Sequence, residues 1–478
     1  MTAFARYNTL DVDTYKASTG VALGRRIADG ELSPVQLAEC ALHIALSAEP
    51  SINAYADILS ERALKQAAER EADARAGRLR SALHGVPIAV KDNFYYQGEV
   101  TGKGSRTSPP TPAPSSAPMV ERLVQAGTVV IGKTTTPEFG WKGTGISPRT
   151  GITRNPWNVA RNSGGSSAGS GATVASGAVP IATGTDAGGS IRIPASFCGV
   201  VGLKPTLGTI PVWPGTVNET LSHAGPITRS VEDARVVLEL TRGPDARDPQ
   251  SYYPHLVAEA TSGHLRVGIV RAPFGISPDS ETAAVIGPAL GMLRAAGIAD
   301  FEDIELPAEL PSEVFEALWV TGRGLGFRDI ILEQADIMDP GLVRLEQLAS
   351  AYRLGDFYAA MTSRREFNAV LFRLLDDWDL LVMPTMPITA FAADAEVPDG
   401  GQIGAPLPWI TWTPYTYPFN ITGQPAITIP CGLGPGKMPV GLQIVGPWAH
   451  DGRVLRFAQM CEDALAPMNE LRVAPAAP

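Results

Sequence analysis

Two serines set in knots of small residues, and one lysine upstream of them, are the residues of this chain best suited to chemistry. The first knot reads Gly164-Gly165-Ser166-Ser167-Ala168-Gly169-Ser170. The second reads Gly184-Thr185-Asp186-Ala187-Gly188-Gly189-Ser190, which sets Ser166 and Ser190 24 positions apart. Glycine adopts backbone conformations that other residues avoid and lets chains approach closely. The consecutive glycines before Ser190 therefore leave several N–H groups free to point at one spot, as in an anion-binding nest. A serine at the end of such a nest is a candidate nucleophile, and the N–H groups a candidate oxyanion hole. The same composition also suits a packing segment with solvated serines, and one knot alone does not separate the two readings. Lys91 closes the apolar run Val86-Pro87-Ile88-Ala89-Val90. A lysine there is ordinarily a snorkelling or ion-paired residue. It serves as a base near neutral pH only if burial or nearby positive charge lowers its pKa by about 2–4 units.

The elements that must position these residues follow from pattern. Val86 to Val90 predicts a buried strand that delivers Lys91 at its end. Ser33-Pro34-Val35-Gln36 carries the serine, proline and glutamine of a capping box, and Leu37, Cys40, Ala41 and Ile44 continue at helical spacing. A charged helix is expected from about Ile58 to Ala76, stopped by Gly77. Residues 98–118 read as a loop, Ala117 to Gln125 as a helix and Thr128 to Ile131 as a strand. Residues 140–165 form a long loop into the first knot. Beyond Thr206, helices at Ser230–Thr241, Glu281–Ala296 and within 312–376 alternate with strands at Leu265–Val270, Phe301–Leu306 and Asp379–Met383. This alternation predicts an α/β fold with helices covering a largely buried sheet. Trp409, Trp412, Tyr415, Tyr417 and Phe419 suit either a core or a pocket wall.

Several other chemistries are excluded. The six histidines, His43, His84, His223, His255, His264 and His450, form no H-E-x-x-H, and the letters G-x-S-x-G occur only inside the first knot, at Gly165 to Gly169. Neither a zinc centre nor a Ser-His-Asp site is signalled, and no metal or cofactor is expected. Cys40, Cys198, Cys431 and Cys461 are scattered, which fits reduced thiols in a cytoplasmic protein. Gly127 to Thr134 matches the letters of a phosphate-binding loop, but its four intervening residues are strand formers and Pro137 follows, so nucleotide binding is rejected. A net charge of −10 argues against nucleic acid or an anionic membrane as partner. No run approaches the roughly 18 apolar residues of a membrane span, and the N-terminal MTAFARYNTLDVDTYK lacks the apolar core of a secretion signal.

The two knots, with the continuations Ile191-Arg192-Ile193-Pro194-Ala195 and Gly202-Leu203-Lys204-Pro205-Thr206, resemble the signature of the amidase signature family. Gly85-Val86-Pro87-Ile88-Ala89-Val90-Lys91-Asp92-Asn93 resembles the family's lysine strand. Further matches are Gly132 to Phe139, Thr153-Arg154-Asn155-Pro156-Trp157, Phe419 to Ala426 and Met438 to Gly446. The resemblance covers nearly the whole chain.

It implies an α/β/α fold, with a central mixed sheet sandwiched by helices in one domain over 1–478. It implies an N-terminal helical layer over 1–80 and a variable helical region over 245–400 that shapes the substrate pocket. By resemblance, Ser190 is the nucleophile, Ser166 a bridging serine after a cis peptide at Gly165, and Lys91 the general base. Ala187, Gly188, Gly189 and Ser190 would supply the oxyanion hole, while Asp186 and Arg192 brace the loop and Ser167 and Ser170 make structural hydrogen bonds. Gly140, Trp141, Gly165 and Trp409 would contact substrate. The implied reaction is hydrolysis of a small-molecule amide, with aryl amides and carbamates within reach, and a homodimer is left open. The alternative is a glutamine-hydrolysing amidotransferase subunit, whose typical N-x-D-E-F-A-M-G-S is replaced here by Thr135-Thr136-Pro137-Glu138-Phe139-Gly140-Trp141-Lys142-Gly143.

Overall fold

A computed structural model describes residues 10–253, 264–468 and 473–474. Residues 1–9, within the N-terminal stretch read above, and His255 lie outside the described residues. Eleven strands form one mixed sheet: β1 (Tyr55–Ile58), β2 (Pro87–Lys91), β3 (Val129–Thr134), β4 (Ile181–Asp186), β5 (Val201–Lys204), β6 (His223–Thr228), β7 (Arg266–Ile269), β8 (Asp300–Asp303), β9 (Leu380–Pro384), β10 (Ala426–Leu433) and β11 (Pro439–Val445). Their spatial order is β1-β3-β2-β4-β6-β5-β10-β11-β9-β7-β8. β2 runs parallel to both β3 and β4. All five of its residues are buried, which is why it reads as a continuous apolar run rather than an alternating one.

Helices cover the sheet. Pro34–Ile52 begins with the expected capping box on Ser33 and Gln36. Ser60–Arg75 ends just before Gly77, which takes the left-handed φ of +71°. The helix Ala168–Ala175 joins the two serine knots, and all eight of its residues are buried. Its small side chains have a steric cause: a Cβ on Gly169 would stand 2.1 Å from the Ala54 carbonyl oxygen. Two apolar clusters result. One holds β2, β3 and the N-terminal helices. The other gathers Phe315, Trp319, Trp409, Trp412, Tyr417 and Phe419.

Three elements differ from the sequence reading. β3 runs on through Gly132, Lys133 and Thr134, so the phosphate-loop look-alike is strand to its end. Residues 140–165 contain two small hairpins, Ile146–Ser147 with Gly151–Ile152 and Arg154–Asn155 with Asn158–Asn162. β8 ends at Asp303 rather than near Leu306. Among the described residues no helix is long and apolar enough to cross a membrane.

Candidate active site

Lys91 stands at the last position of β2 and is fully buried. Its backbone N–H donates to Thr183 Oγ1 of the adjoining β4 at 2.9 Å. Its Nζ reaches three hydroxyls: Ser166 Oγ at 2.8 Å, Thr185 Oγ1 at 2.8 Å and Ser167 Oγ at 3.0 Å. Burial drives the Lys91 pKa well below its ordinary value; Asp186 opposes that shift and Arg323 adds to it. A neutral amine in this position can accept a proton from a hydroxyl beside it, and an ammonium can return one.

The Gly165–Ser166 peptide is cis. Ser166 and Ser190 line the same cleft, of about 870 Å³ with its open mouth included. Gly140 passes beside them with a φ of +65°, and a Cβ there would stand 3.1 Å from Ser166 Oγ. A Cβ would crowd that hydroxyl, and the positive φ also favours glycine.

The second knot is held by a buried ion pair. Arg192 Nε donates to Asp186 Oδ2 and Nη2 to Oδ1, both at 3.0 Å. Asn420 Nδ2 donates to Asp186 Oδ1 at 2.9 Å. The arginine also reaches Asn420 Oδ1 at 2.6 Å, and the Thr416 carbonyl and Gln443 Oε1 at 2.8 Å each. Burial alone would raise the Asp186 pKa, but the Arg192 charge and these hydrogen bonds hold it well below the carboxylate range. Asp186 and Arg192 thus brace the turn and do not line the cleft.

Gly189 corrects the expected oxyanion set. Its N–H donates to Asp186 Oδ1 at 2.7 Å, so the carboxylate has already taken that donor. The N–H groups of Ala187, Gly188 and Ser190 make no hydrogen bond among the described residues. Ala187 and Ser190 line the cleft. Gly188 is pressed from behind: a Cβ on it would come within 2.7 Å of Trp409.

That contact also explains where Trp409 lies. It is buried among Phe315 and Trp319, with centroids 5.6 and 5.1 Å away, and it supports the turn instead of lining the cleft. Trp141 is likewise buried in the second apolar cluster, against Gly341. Gly165 packs on Thr144, whose carbonyl oxygen a Cβ would meet at 2.3 Å. Of the four expected substrate contacts, only Gly140 lines the cleft. Ser170 makes the structural bonds expected of it, to the Thr183 carbonyl and Thr134 Oγ1.

The structure adds lining residues that sequence reasoning did not single out: Asn93, Lys103, Val212 to Val217, His223, Arg323 and Phe327. Asn93 lies two positions past Lys91 and could have been found there. Arg323 sits inside a helix, Ser312–Gly326, that carries no motif. His223 pairs across the sheet with Asp186. Its Nδ1 faces the Leu221 carbonyl oxygen at 2.8 Å, and burial together with Lys204 holds its pKa well below the ordinary imidazole value. Among the described residues there is no cluster that could hold a metal ion.

A large mixed sheet under helices, with a buried lysine touching the serine of one glycine knot, defines a class. A family model for amidases matches residues 36–455, and the chain belongs to that family, the amidase signature enzymes. The family's reaction class is hydrolysis of amide C–N bonds. The relatives divide by name. The chain is 34% identical to an acylamidase of Rhodococcus erythropolis, over 90% of this chain and 92% of that protein. It is 33% identical to the A subunit of the glutamyl-tRNA(Gln) amidotransferase of Synechococcus sp. (strain CC9605), over 92% of this chain and 95% of that protein. Among solved structures it is similar to 6-aminohexanoate cyclic dimer hydrolase in complex with substrate, with a TM-score of 0.85, 29% identity, and coverage of 95% of this chain and 98% of that one.

Proposed function

We propose that this chain hydrolyses small carboxamides through an acyl-enzyme, with Ser190 as nucleophile, Ser166 as proton bridge and Lys91 as base. The observation that carries this reading is the fully buried Lys91 amine, 2.8 Å from Ser166 Oγ, beside a cleft that Ser166 shares with Ser190. Neutral Lys91 takes the Ser166 proton as Ser166 takes that of Ser190, and Ser190 Oγ adds to the substrate carbonyl carbon. The oxyanion is met by the free N–H groups of Ala187, Gly188 and Ser190. Collapse breaks the C–N bond, and the proton held on Lys91 returns through Ser166 to the leaving nitrogen. Water then repeats the sequence on the ester and releases the acid.

The reading is of a free-standing, cytoplasmic amidase rather than an amidotransferase subunit. Support comes from Pro137-Glu138-Phe139-Gly140-Trp141 in place of the subunit's pattern and from the acylamidase relative. Phe94, Phe139, Trp213 and Phe327 on the cleft wall favour an aryl group in the substrate, on an amide or a carbamate.

The test is hydrolysis of paired 4-nitroanilide and aryl carbamate substrates by the wild type and by Ser190→Ala. Turnover should fall about 10³-fold or more in the variant. Full turnover in Ser190→Ala would sink the mechanism. Ammonia release from glutamine, with no turnover of either aryl substrate, would favour the amidotransferase reading.

A further inference from the structure

A second pair of side chains in the cleft has no part in the proton path. Arg323 is 6% exposed and has no carboxylate partner among the described residues. Its Nη1 donates to the Phe139 carbonyl oxygen. Its Nε is buried without a partner among those residues, and Nη2 likewise makes no hydrogen bond to them. Trp319 and Phe327 lie against the guanidinium, with ring centroids 4.6 and 5.8 Å away. Lys103 lines the same cleft. It also lacks an ion pair among the described residues, with its Nζ 5.4 Å from the centre of the Tyr95 ring. Asp92, which acts on it through space, is already paired with Lys133 at 2.9 Å.

Both residues line the one cleft and are tied to each other through Phe139. The Phe139 N–H donates to the Lys103 carbonyl at 2.7 Å, and its own carbonyl accepts from Arg323. Lys103 and Phe139 each adopt a left-handed φ of 49°. That conformation is uncommon for residues with a side chain and is characteristic of functional sites. Among the described residues no Asp or Glu lines the cleft, in a chain whose net charge is −10. A buried arginine is expensive unless a counter-charge meets it, and cation–π contact offsets only a small part of that cost. Here the missing counter-charge has a place to come from, the open cleft.

We propose that Arg323 and Lys103 form a carboxylate-binding subsite, so that the preferred substrate is an amide bearing an anionic group beyond the scissile bond. This rests on the hydrolase reading for the word substrate, but not for the anion site itself. Arginine suits the task because its charge persists and its planar donors match a carboxylate.

Two substrate pairs test it, one for each side of the bond. Succinic acid mono-4-nitroanilide is compared with butyric acid 4-nitroanilide, and 4-acetamidobenzoate with acetanilide. Succinate is titrated into the same proteins by calorimetry. The wild type should favour the anionic member of at least one pair by tenfold or more in kcat/KM, mainly through KM, and less so at high ionic strength. Arg323→Met should remove most of that preference and weaken succinate binding at least tenfold. Lys103→Met, the less buried position, should act in the same direction and serves if Arg323→Met does not fold. Equal use of both members of each pair, or a preference that survives both substitutions, overturns the subsite and leaves the hydrolase reading intact. Succinate binding that depends on Arg323 without turnover of any substrate overturns the hydrolase reading for these amides and keeps the subsite. Absence of both binding and preference overturns the subsite.

Discussion

The Gly189 N–H donates to Asp186 Oδ1 across 2.7 Å, and this one bond sorts the glycine-rich turn into two jobs. Gly189 ties the turn to the buried Asp186–Arg192 pair, with a φ of +129° that only glycine adopts without strain. The N–H groups on either side, of Gly188 and Ser190, make no hydrogen bond among the described residues. The turn is thus held by its middle residue while its neighbours remain donors.

Asp186→Asn should therefore cost stability and activity together. It leaves the fully buried Arg192 without its counter-charge, a loss of about 3–5 kcal/mol. Urea denaturation at neutral pH measures it. The wild-type pair has a pH signature of defined sign. The folded Asp186 pKa is held down, so its contribution is present above the ordinary aspartate pKa and is lost as pH falls toward the folded value. A variant as stable as the wild type would remove the bracing role.

As the proposed base, Lys91 should set the pH dependence of turnover. The base must be neutral, so kcat/KM should climb with pH and level off above the folded pKa. Burial lowers that pKa, which puts the climb well below the ordinary lysine range near 10.4. The same shift makes stability rise with pH: the unfolded chain binds the extra proton between the two values. A profile flat from pH 6 to 9, or unchanged in Lys91→Met, would contradict the assignment.

Trp409→Ala should behave as a core mutation. The ring fills space behind Gly188 and against Phe315 and Trp319, and truncation there costs about 3–5 kcal/mol. Thermal unfolding checks it. A change in KM with unaltered stability would return Trp409 to the pocket wall.

Lys133 should not respond to nucleotide. It is buried in β3, with Nζ 2.9 Å from Asp92 Oδ1 and 3.0 Å from the Phe94 carbonyl oxygen. Equilibrium dialysis with ATP should give no binding. Lys133→Met should lower stability by about 3–5 kcal/mol, because it strands the Asp92 carboxylate in the interior.

Much of this is legible in the sequence. Local signals carried the capped helix at Ser33, the strand ending at Lys91 and the helix Val231–Thr241 capped by Ser230, because each depends on neighbours in sequence. The glycine knots announced a shaped backbone for the same reason. What stayed hidden depends on partners far along the chain. Arg323 is an ordinary helical arginine until folding sets it over the Phe139 carbonyl, 184 positions away. Thr185 was visible only as part of a knot, although it is as close to Lys91 as Ser166 is. Trp409 misled because aromatic density is the same for a core and a pocket wall. The Gly189 assignment failed because a nest of N–H groups does not reveal which of them a nearby carboxylate will claim.

The brace on Asp186 also sets an order in time. Lys91, Ser166 and Ser190 are all made within the first 190 residues, yet Arg192 finds Thr416, Asn420 and Gln443 as many as 251 positions later. A chain halted on the ribosome halfway through would hold all three proposed reacting groups and none of these late contacts. The bracing of the second knot is thereby completed only after the chain has been made as far as Gln443.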